Sequence, residues 1–476
     1  MQKKGSDTLV DLSAKTFLQV AALLFALMLA AIALTYVIPK GSFGVLADGG
    51  TDYLAYSVTE GASGIPWYKG LFAPVLVFFS GSGLTLLMLS LFLLVIFGAF
   101  QVMNDVGGIR ALVGAVSRRF QKRRTLLLFA VAFLFMCFGA FLGQFEEMLT
   151  MLPIVTALCV LVGFDSFTGF LVSIIACGFG FASAITNPFT VLLASEIIGA
   201  NPMEHILYRV VIFLAMYLLL MGFVLLYVRK LKKDPASGLT AAHDDKLRSA
   251  GAPAASGASD ANETRIRVSY IVFLLVCLAL LITCSAVSAL RGYTVPVLIL
   301  YFLIFGVAVG VLCAGSMKPV LKSFGKGVAC ALPTIVFIAL ASSVKYIFDE
   351  GAIMPTVVHS IQTLVAGKSP FLIALVLYGI ILVLEFFISS STAKAILVMG
   401  MLAVIRVGLS DPMLVLIYTF ADGYTNVLFP TSPVLLIALS MIEVDYFKWV
   451  KKSAPLFVAN LALVLLFLFL GIVIGY

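Results

Sequence analysis

Gln144-Phe145-Glu146-Glu147 interrupts one apolar run of this 476-residue chain, and Ser389-Ser390-Ser391-Thr392 interrupts another. The separation between these stretches equals that between Thr186-Asn187-Pro188 and Thr431-Ser432-Pro433. It also equals that from Asp105 to Glu350, and it slips by one residue at the glycines that follow, Gly107 and Gly351. A polar echo at constant offset in an apolar chain implies two membrane halves built alike. Matched interrupted helices in two halves are the mark of a secondary transporter whose site lies where the repeats meet.

Composition agrees. The chain is 62% hydrophobic and 11% charged, against about 25% charged in soluble proteins. The expected fold is an all-α polytopic membrane protein. The net charge of +8 gives no nucleic-acid surface, because the basic residues sit in short loops between apolar runs and report membrane orientation instead. All seven cysteines fall inside apolar segments without CxxC spacing, as small core residues do. The first apolar run, 17–38, reads as a full span and not as a cleaved leader.

A span needs about 20 apolar residues. Nine stretches qualify: 17–38, 84–103, 167–199, 206–228, 268–290, 295–314, 327–347, 412–441 and 455–475. Two of them are broken, at 186–188 and 430–433. The pieces 125–163 and 371–407 have arms short for a span around a polar centre, and they read as re-entrant hairpins. Basic clusters at Lys3-Lys4, Arg118–Arg124, Arg229–Lys233, Lys318–Lys326 and Lys448–Lys452 then fall on one side, expected to be cytoplasmic. The N-terminus is inside and the C-terminus outside, in the cytoplasmic (inner) membrane. The span 268–290 flips the second half, giving inverted repeats at 1–228 and 295–476 joined by a connecting span at 268–294. The Pro- and Gly-rich stretch 229–267 reads as a flexible cytoplasmic linker with no site. Residues 107–120 and 351–367 read as interfacial helices leading into the hairpins.

Broken helices survive in hydrocarbon only where protein or a watery cavity covers their backbone. Their free ends attract anions at N-termini and cations at C-termini. The candidate substrate-binding residues therefore lie at the breaks. The first tip offers Gln144, Glu146 and Glu147 beyond Gly143. The two acids are counter-charges for a cation or carriers of a proton, unless this tip stands in water. The second tip offers Ser389, Ser390, Ser391 and Thr392, whose hydroxyls at a helix start suit a carboxylate. Lys394 either strengthens that site or snorkels to the interface. The broken spans add Thr186, Asn187, Thr425, Asn426, Thr431 and Ser432, with Gly178, Gly180, Pro188, Gly423, Pro430 and Pro433 as helix-loosening positions. Asp422, an acid inside a span, is a functional candidate by default. Glu385 is a weaker one, with Lys345 or Lys394 as its partner. His205, His243 and His359 lack metal-ligand spacing, so no metal is expected beyond a sodium ion at the helix breaks.

Ser-Ser-Ser-Thr before a short helix, followed by Asp422-Gly-Tyr-Thr-Asn-Val-Leu-Phe-Pro-Thr-Ser-Pro433, resembles the C4-dicarboxylate anaerobic carrier-like family of the ion transporter superfamily. Within it, Gly-Gln-Phe-Glu-Glu and Ala-Ile-Thr-Asn-Pro-Phe-Thr are similar to the YfcC/ArcD-like basic amino acid antiporter branch. The resemblance covers nearly the whole chain outside 229–267. It implies a scaffold domain, a moving transport domain, a homodimer, and substrate held between the hairpin tips and broken helices. The divalent-anion/sodium symporters of the superfamily carry Ser-Asn-Thr at both tips, and this chain does not.

The expected function is secondary transport of a basic amino acid of the arginine or ornithine type, by exchange or by proton or sodium coupling. A C4-dicarboxylate carrier is the alternative. For it Lys394 helps, while Glu146 and Glu147 hinder. A membrane enzyme would need a metal or a nucleophile–base set, and a channel a ring-type filter; neither is present in the sequence. The partners expected are a small-molecule substrate and the lipid bilayer, without a cofactor beyond the coupling ion.

Overall fold

The computed structural model describes residues 14–45, 51–59, 64–81, 83–109, 111, 123–234, 238–251, 260–365, 367–388, 391–405 and 408–476. Long apolar runs free of interior Gly-Pro pairs form the helices. In chain order these are α1 (Ala14–Val37), α2 (Gly83–Asp105), α3 (Arg124–Leu142), α4 (Leu152–Val162), α5 (Ser166–Ala182), α6 (Pro188–Ile198), α7 (Ile206–Lys233), α8 (Ala241–Gly251) and α9 (Asp260–Ala286). The second half holds α10 (Thr294–Ala314), α11 (Met317–Gly351), α12 (Met354–Val365), α13 (Pro370–Phe387), α14 (Ser391–Ile405), α15 (Asp411–Asn426), α16 (Pro433–Met441) and α17 (Tyr446–Ile474). Among the described residues seven helices are long and apolar enough to cross a bilayer: α2, α3, α7, α10, α11, α13 and α17. The chain is a multi-pass membrane protein.

The echo at Asp105 and Glu350 falls on matched helix ends. It closes α2 and α11, which pack along each other, with α1 also on α11 and α10 on α2. Asp105 is held by Gln101 (2.8 Å) and Ser323 (2.6 Å), and Glu350 pairs with Lys69 at 3.4 Å. The chain leaves α2 through Gly107, in the left-handed region at φ 80°, and leaves α11 through Ala352 at φ 49°.

Several expectations need correction. The arms α3 and α13 are not short: at 19 and 18 residues each meets the length of a span, because the apolar run continues to the edge of the polar tip. The fold is not purely helical. Residues Gly41–Val45 and Thr51–Val58 pair as an antiparallel hairpin, because the second run is rich in the aromatic and β-branched residues that strands favour. Tyr56 fixes it to α12, stacking on His359 at 4.1 Å and donating to Thr356 Oγ1 at 2.9 Å. The stretch 229–267 is not wholly a loose linker. It takes in the end of α7, the whole of α8 and the start of α9. One face of α8 docks on α4: His243, Asp244 and Leu247 are buried, and Asp244 accepts the Ser166 N–H at 2.8 Å. The expected interfacial helix 351–367 appears as α12, while most of 107–120 lies outside the described residues.

Candidate functional site

The first break is laced shut by its own backbone. The last turn of α3, Phe138–Leu142, is a wide π turn ending at Gly143, which adopts φ 67°. Helices α3 and α5 touch backbone to backbone. A Cβ on Gly180 would lie 1.9 Å from the Met136 carbonyl oxygen, and one on Gly139 would lie 2.0 Å from that of Cys177. Asn187 is fully buried and spends its amide on structure. Its Nδ2 donates to the Gly139 carbonyl at 3.1 Å, and its Oδ1 caps α6 by accepting the Phe189 N–H at 2.9 Å. Ile185 and Thr186 both donate N–H to the Ala140 carbonyl, and the Thr186 hydroxyl lies 3.4 Å from the Phe141 carbonyl. Buried Gln144 gives its carbonyl to the Cys177 thiol. Beyond this lock, Glu146 is exposed and Glu147 half-buried. Among the described residues neither has an ion-pair partner.

The second half gathers charge instead. Lys394, in the first turns of α14, is wholly buried, as is Asp422 on α15, and Glu385 on α13 is nearly so. The Lys394 ammonium contacts the Glu385 carboxylate and lies 2.7 Å from Asp422 Oδ1. Ser391 Oγ donates to Asp422 Oδ2 at 2.8 Å. The Tyr418 hydroxyl reaches the Ser391 carbonyl and lies 3.5 Å from Asp422 Oδ1. So Lys394 does not snorkel, and Glu385 chooses Lys394 over Lys345. Ser389 and Ser390 lie outside the described residues; Ser391 is half-buried and Thr392 exposed.

The second break runs from Val427 to Ser432, with Pro430 inside it and Pro433 opening α16. Thr425 back-bonds to the Ala421 and Asp422 carbonyls, and the Asn426 amide donates to that of Asp422 at 3.0 Å. Thr431 and Ser432 are each 5% exposed, and Ser432 starts α16 without a side-chain cap bond. Pro188 likewise opens α6.

Three glycines do not loosen anything. Helix α5 runs through Gly178 and Gly180, and α15 through Gly423. They are contact points: a Cβ on Gly178 would meet Val427 at 2.1 Å, and one on Gly423 would meet Ala182 at 2.2 Å. Small residues let the two broken helices cross at backbone distance. Around that crossing the halves reach into each other, residues 147–150 against α16 and α14 against α6. The structure thus unites Ser391, Lys394, Asp422 and Glu385, and separately Gly143 with Asn187. It gives Glu146 and Glu147 no bond to the second-half cluster. Arg209, absent from the sequence reading, donates from α7 to the Ile185 carbonyl at 3.2 Å, inside the first break. A lone arginine in the first turn of an apolar helix is its signal.

The sequence profile of the C4-dicarboxylate anaerobic carrier family matches residues 17–473. An Escherichia coli (strain K12) protein described as "Putative basic amino acid antiporter YfcC" is 26% identical over 77% of this chain and 74% of its own. An uncharacterized Haemophilus influenzae (strain ATCC 51907 / DSM 11121 / KW20 / Rd) protein is 23% identical over 91% of this chain and 92% of its own. Among solved structures, the Alcanivorax borkumensis YdaH transporter overlaps at TM-score 0.45 and 15% identity, covering 96% of this chain and 99% of that one. The Neisseria gonorrhoeae efflux pump MtrF overlaps at TM-score 0.44 and 14% identity, covering 94% of both. At those scores neither overlap bears on the fold.

Proposed function

We propose, from the premise that the chain belongs to the C4-dicarboxylate anaerobic carrier family, that this transporter is a secondary carrier for a basic amino acid of the arginine or ornithine type. One observation supports that choice above the others. The buried lysine of the second half, Lys394, is already spent on Glu385 and Asp422, and buried Arg209 at the first break is bonded to the Ile185 and Pro202 carbonyls, whereas Glu146 and Glu147 have no ion-pair partner among the described residues. Among the described residues, a site whose lysine is neutralised and whose tip carries two acids without ion pairs favours a cation. A dianion would meet those two carboxylates at the tip. Unpaired acids at bilayer depth cost several kcal/mol, and a bound guanidinium or ammonium offsets that cost.

In this reading Ser391, Thr392, Thr431 and Ser432 receive the α-carboxylate, since hydroxyls and free N–H groups at helix starts suit an anion. Helix pairs α3/α4 and α13/α14 are re-entrant hairpins in this reading, since α4 and α14, at 11 and 15 residues, are short for a span even though α3 and α13 are not, and the full spans number nine. The repeats are inverted and the protein is a homodimer in the inner membrane, with the N-terminus in the cytoplasm and the C-terminus outside. The crosswise packing of 147–150 on α16 and of α14 on α6 favours inverted repeats, since each half then shapes the other's cavity. The dicarboxylate reading draws on the family's description. It requires Lys394 to leave its two carboxylates.

The test is counterflow in proteoliposomes preloaded with arginine, ornithine, leucine or succinate. The proposal expects labelled arginine or ornithine to accumulate and succinate not to. Succinate counterflow without arginine counterflow moves the dicarboxylate reading ahead.

A further inference from the structure

We propose that the cavity where α2 begins and α11 ends binds a zwitterionic phospholipid headgroup with a primary ammonium, of the phosphoethanolamine type. The cavity holds about 600 Å³, and Ser80, Thr85, Lys345, Asp349 and Glu350 stand in its wall. Lys345 and Asp349 are one turn apart on α11, so they project from one helix face. Lys345 is half-buried and Asp349 exposed. Among the described residues neither forms an ion pair, whereas Glu350 is engaged by Lys69 at 3.4 Å. One ammonium and one carboxylate therefore line the same space uncommitted, and the four charges sum to zero. An anionic headgroup calls for a basic excess. A balanced pair of opposite charges suits a ligand that is itself such a pair. In phosphoethanolamine two carbons separate phosphate from ammonium, so the phosphate meets Lys345 and the Thr85 hydroxyl while the ammonium donates to Asp349. Such charge-assisted bonds are the strong ones. A trimethylated ammonium has no proton to donate.

The surroundings place this cavity at the level of headgroups and give the acyl chains a track. Short helices at Trp67–Leu71 and Ala73–Leu76 lead up to it. They are pinned to α1: the Tyr36 hydroxyl donates to the Ile65 carbonyl at 2.6 Å, Thr35 Oγ1 accepts the Ile65 N–H at 3.1 Å, and a Cβ on Gly70 would lie 2.6 Å from Ile32. The pinning turns Trp67, Tyr68, Phe72 and Phe79 outward, each more than half exposed. Tryptophan and tyrosine gather where hydrocarbon meets water. From the cavity, exposed Leu84, Leu87 and Leu91 run down α2, at the spacing of a single helix face. A mixed-charge pocket standing on an apolar stripe matches a lipid, whose tails have somewhere to lie. A soluble zwitterion would leave the stripe unused. The cavity shares no residue with the breaks or with the Glu385–Lys394–Asp422 cluster, so the inference does not depend on which solute is carried.

The experiment is native mass spectrometry of the full chain in detergent micelles carrying equal amounts of phosphatidylethanolamine, phosphatidylcholine and phosphatidylglycerol of matched chains. The wild-type protein is expected to retain phosphatidylethanolamine above the other two. Lys345→Met and Asp349→Asn should each lower that retention about fivefold, the scale of one interfacial charge pair. Asp349→Asn leaves the cavity with a basic excess, so it should also raise phosphatidylglycerol relative to phosphatidylethanolamine, a change of preference that a merely structural role would not produce. Equal retention of the three lipids by the wild-type protein overturns the proposal, as does unchanged preference in both variants. Free phosphoethanolamine that competes as well as the whole lipid overturns it in favour of a soluble zwitterion. A dimer that keeps no lipid from any mixture puts a second copy of the chain on this face and overturns it too. If neither variant folds, the wild-type comparison of the three headgroups decides the matter alone.

Discussion

The two breaks occupy equivalent places in the chain and have been put to different uses. At the first, polar groups are bonded to backbone: Asn187 ties Gly139 to the start of α6, and Ile185 and Thr186 hang on Ala140. Its acids, Glu146 and Glu147, stand beyond the lock without an ion-pair partner among the described residues. At the second, the charges are internal and bonded to one another, while the loop hydroxyls of Thr431 and Ser432 make no hydrogen bond among the described residues. The two breaks thus divide two structural roles between them. One break holds geometry and offers bare acids; the other balances charge and leaves its hydroxyls open.

The largest expected effect comes from unbalancing the second break. Lys394→Met leaves two buried carboxylates without a cation. Breaking a buried ion pair from one side costs about 3–5 kcal/mol, so the detergent-solubilised protein should melt far earlier or fail to accumulate. Glu385→Gln/Lys394→Met removes one charge of each sign and should recover much of that loss. If the single variant melts like wild type, the cluster is not buried as described and the contrast between the breaks collapses.

The next effect belongs to the first break. Gly180→Ala pushes a methyl against the Met136 carbonyl, a backbone atom that cannot turn aside. Overpacking of this kind costs about 1–3 kcal/mol. Gly222→Ala, with nothing within 4 Å, is the control and should be neutral or slightly stabilising. Equal melting of the two variants would restore the reading of Gly180 as a hinge.

The matched pair Asn187 and Ser432 sharpens the comparison further. Asn187→Ala abandons a buried carbonyl and a helix cap, about 1–3 kcal/mol of stability, and transport falls because the lock slackens. Ser432→Ala removes no side-chain hydrogen bond among the described residues, so its stability should move by less than about 0.5 kcal/mol while uptake drops. Thermal melting beside initial-rate uptake separates them. Similar melting losses in both would mean the two breaks are structural alike.

Much of this was legible in the chain because polar residues inside apolar runs are conspicuous. Asn187, Asp422, Lys394 and Thr431-Ser432-Pro433 needed only their neighbours to be noticed. Who pairs with whom did not show. Glu385 could reach either Lys345 or Lys394, and only the packing of α13 on α15 decides it. Glycine in a membrane helix reads equally as a hinge or a contact; Gly180 and Gly423 are contacts because another backbone lies against each, and Gly178 because the Val427 side chain does. Helix α8 was lost in a stretch of small and charged residues, since its buried face is only His243, Asp244 and Leu247. The strands at 41–45 and 51–58 do not stand out because Gly41, Gly44 and Asp48-Gly49-Gly50 break the apolar alternation.

The smallest structural effect, and the most informative functional one, is expected at the first tip. Glu146→Gln and Glu147→Gln delete charges that no other described residue pairs with, so neither should lower the melting temperature appreciably. Exposed Glu146 is the one a solute meets first, and half-buried Glu147 the one it meets with less water between. A charge interaction in a drier place is worth more, so Glu147→Gln should weaken arginine more than Glu146→Gln does. A loss of about tenfold corresponds to 1.4 kcal/mol, and Glu147→Gln should reach or exceed it for arginine while leaving a neutral amino acid nearly unchanged. Competition of unlabelled arginine and leucine against labelled counterflow measures both. If each variant keeps wild-type affinity and selectivity, the bare acids face bulk water, the first break is a lock and nothing more, and substrate choice must lie with the hydroxyls of the second.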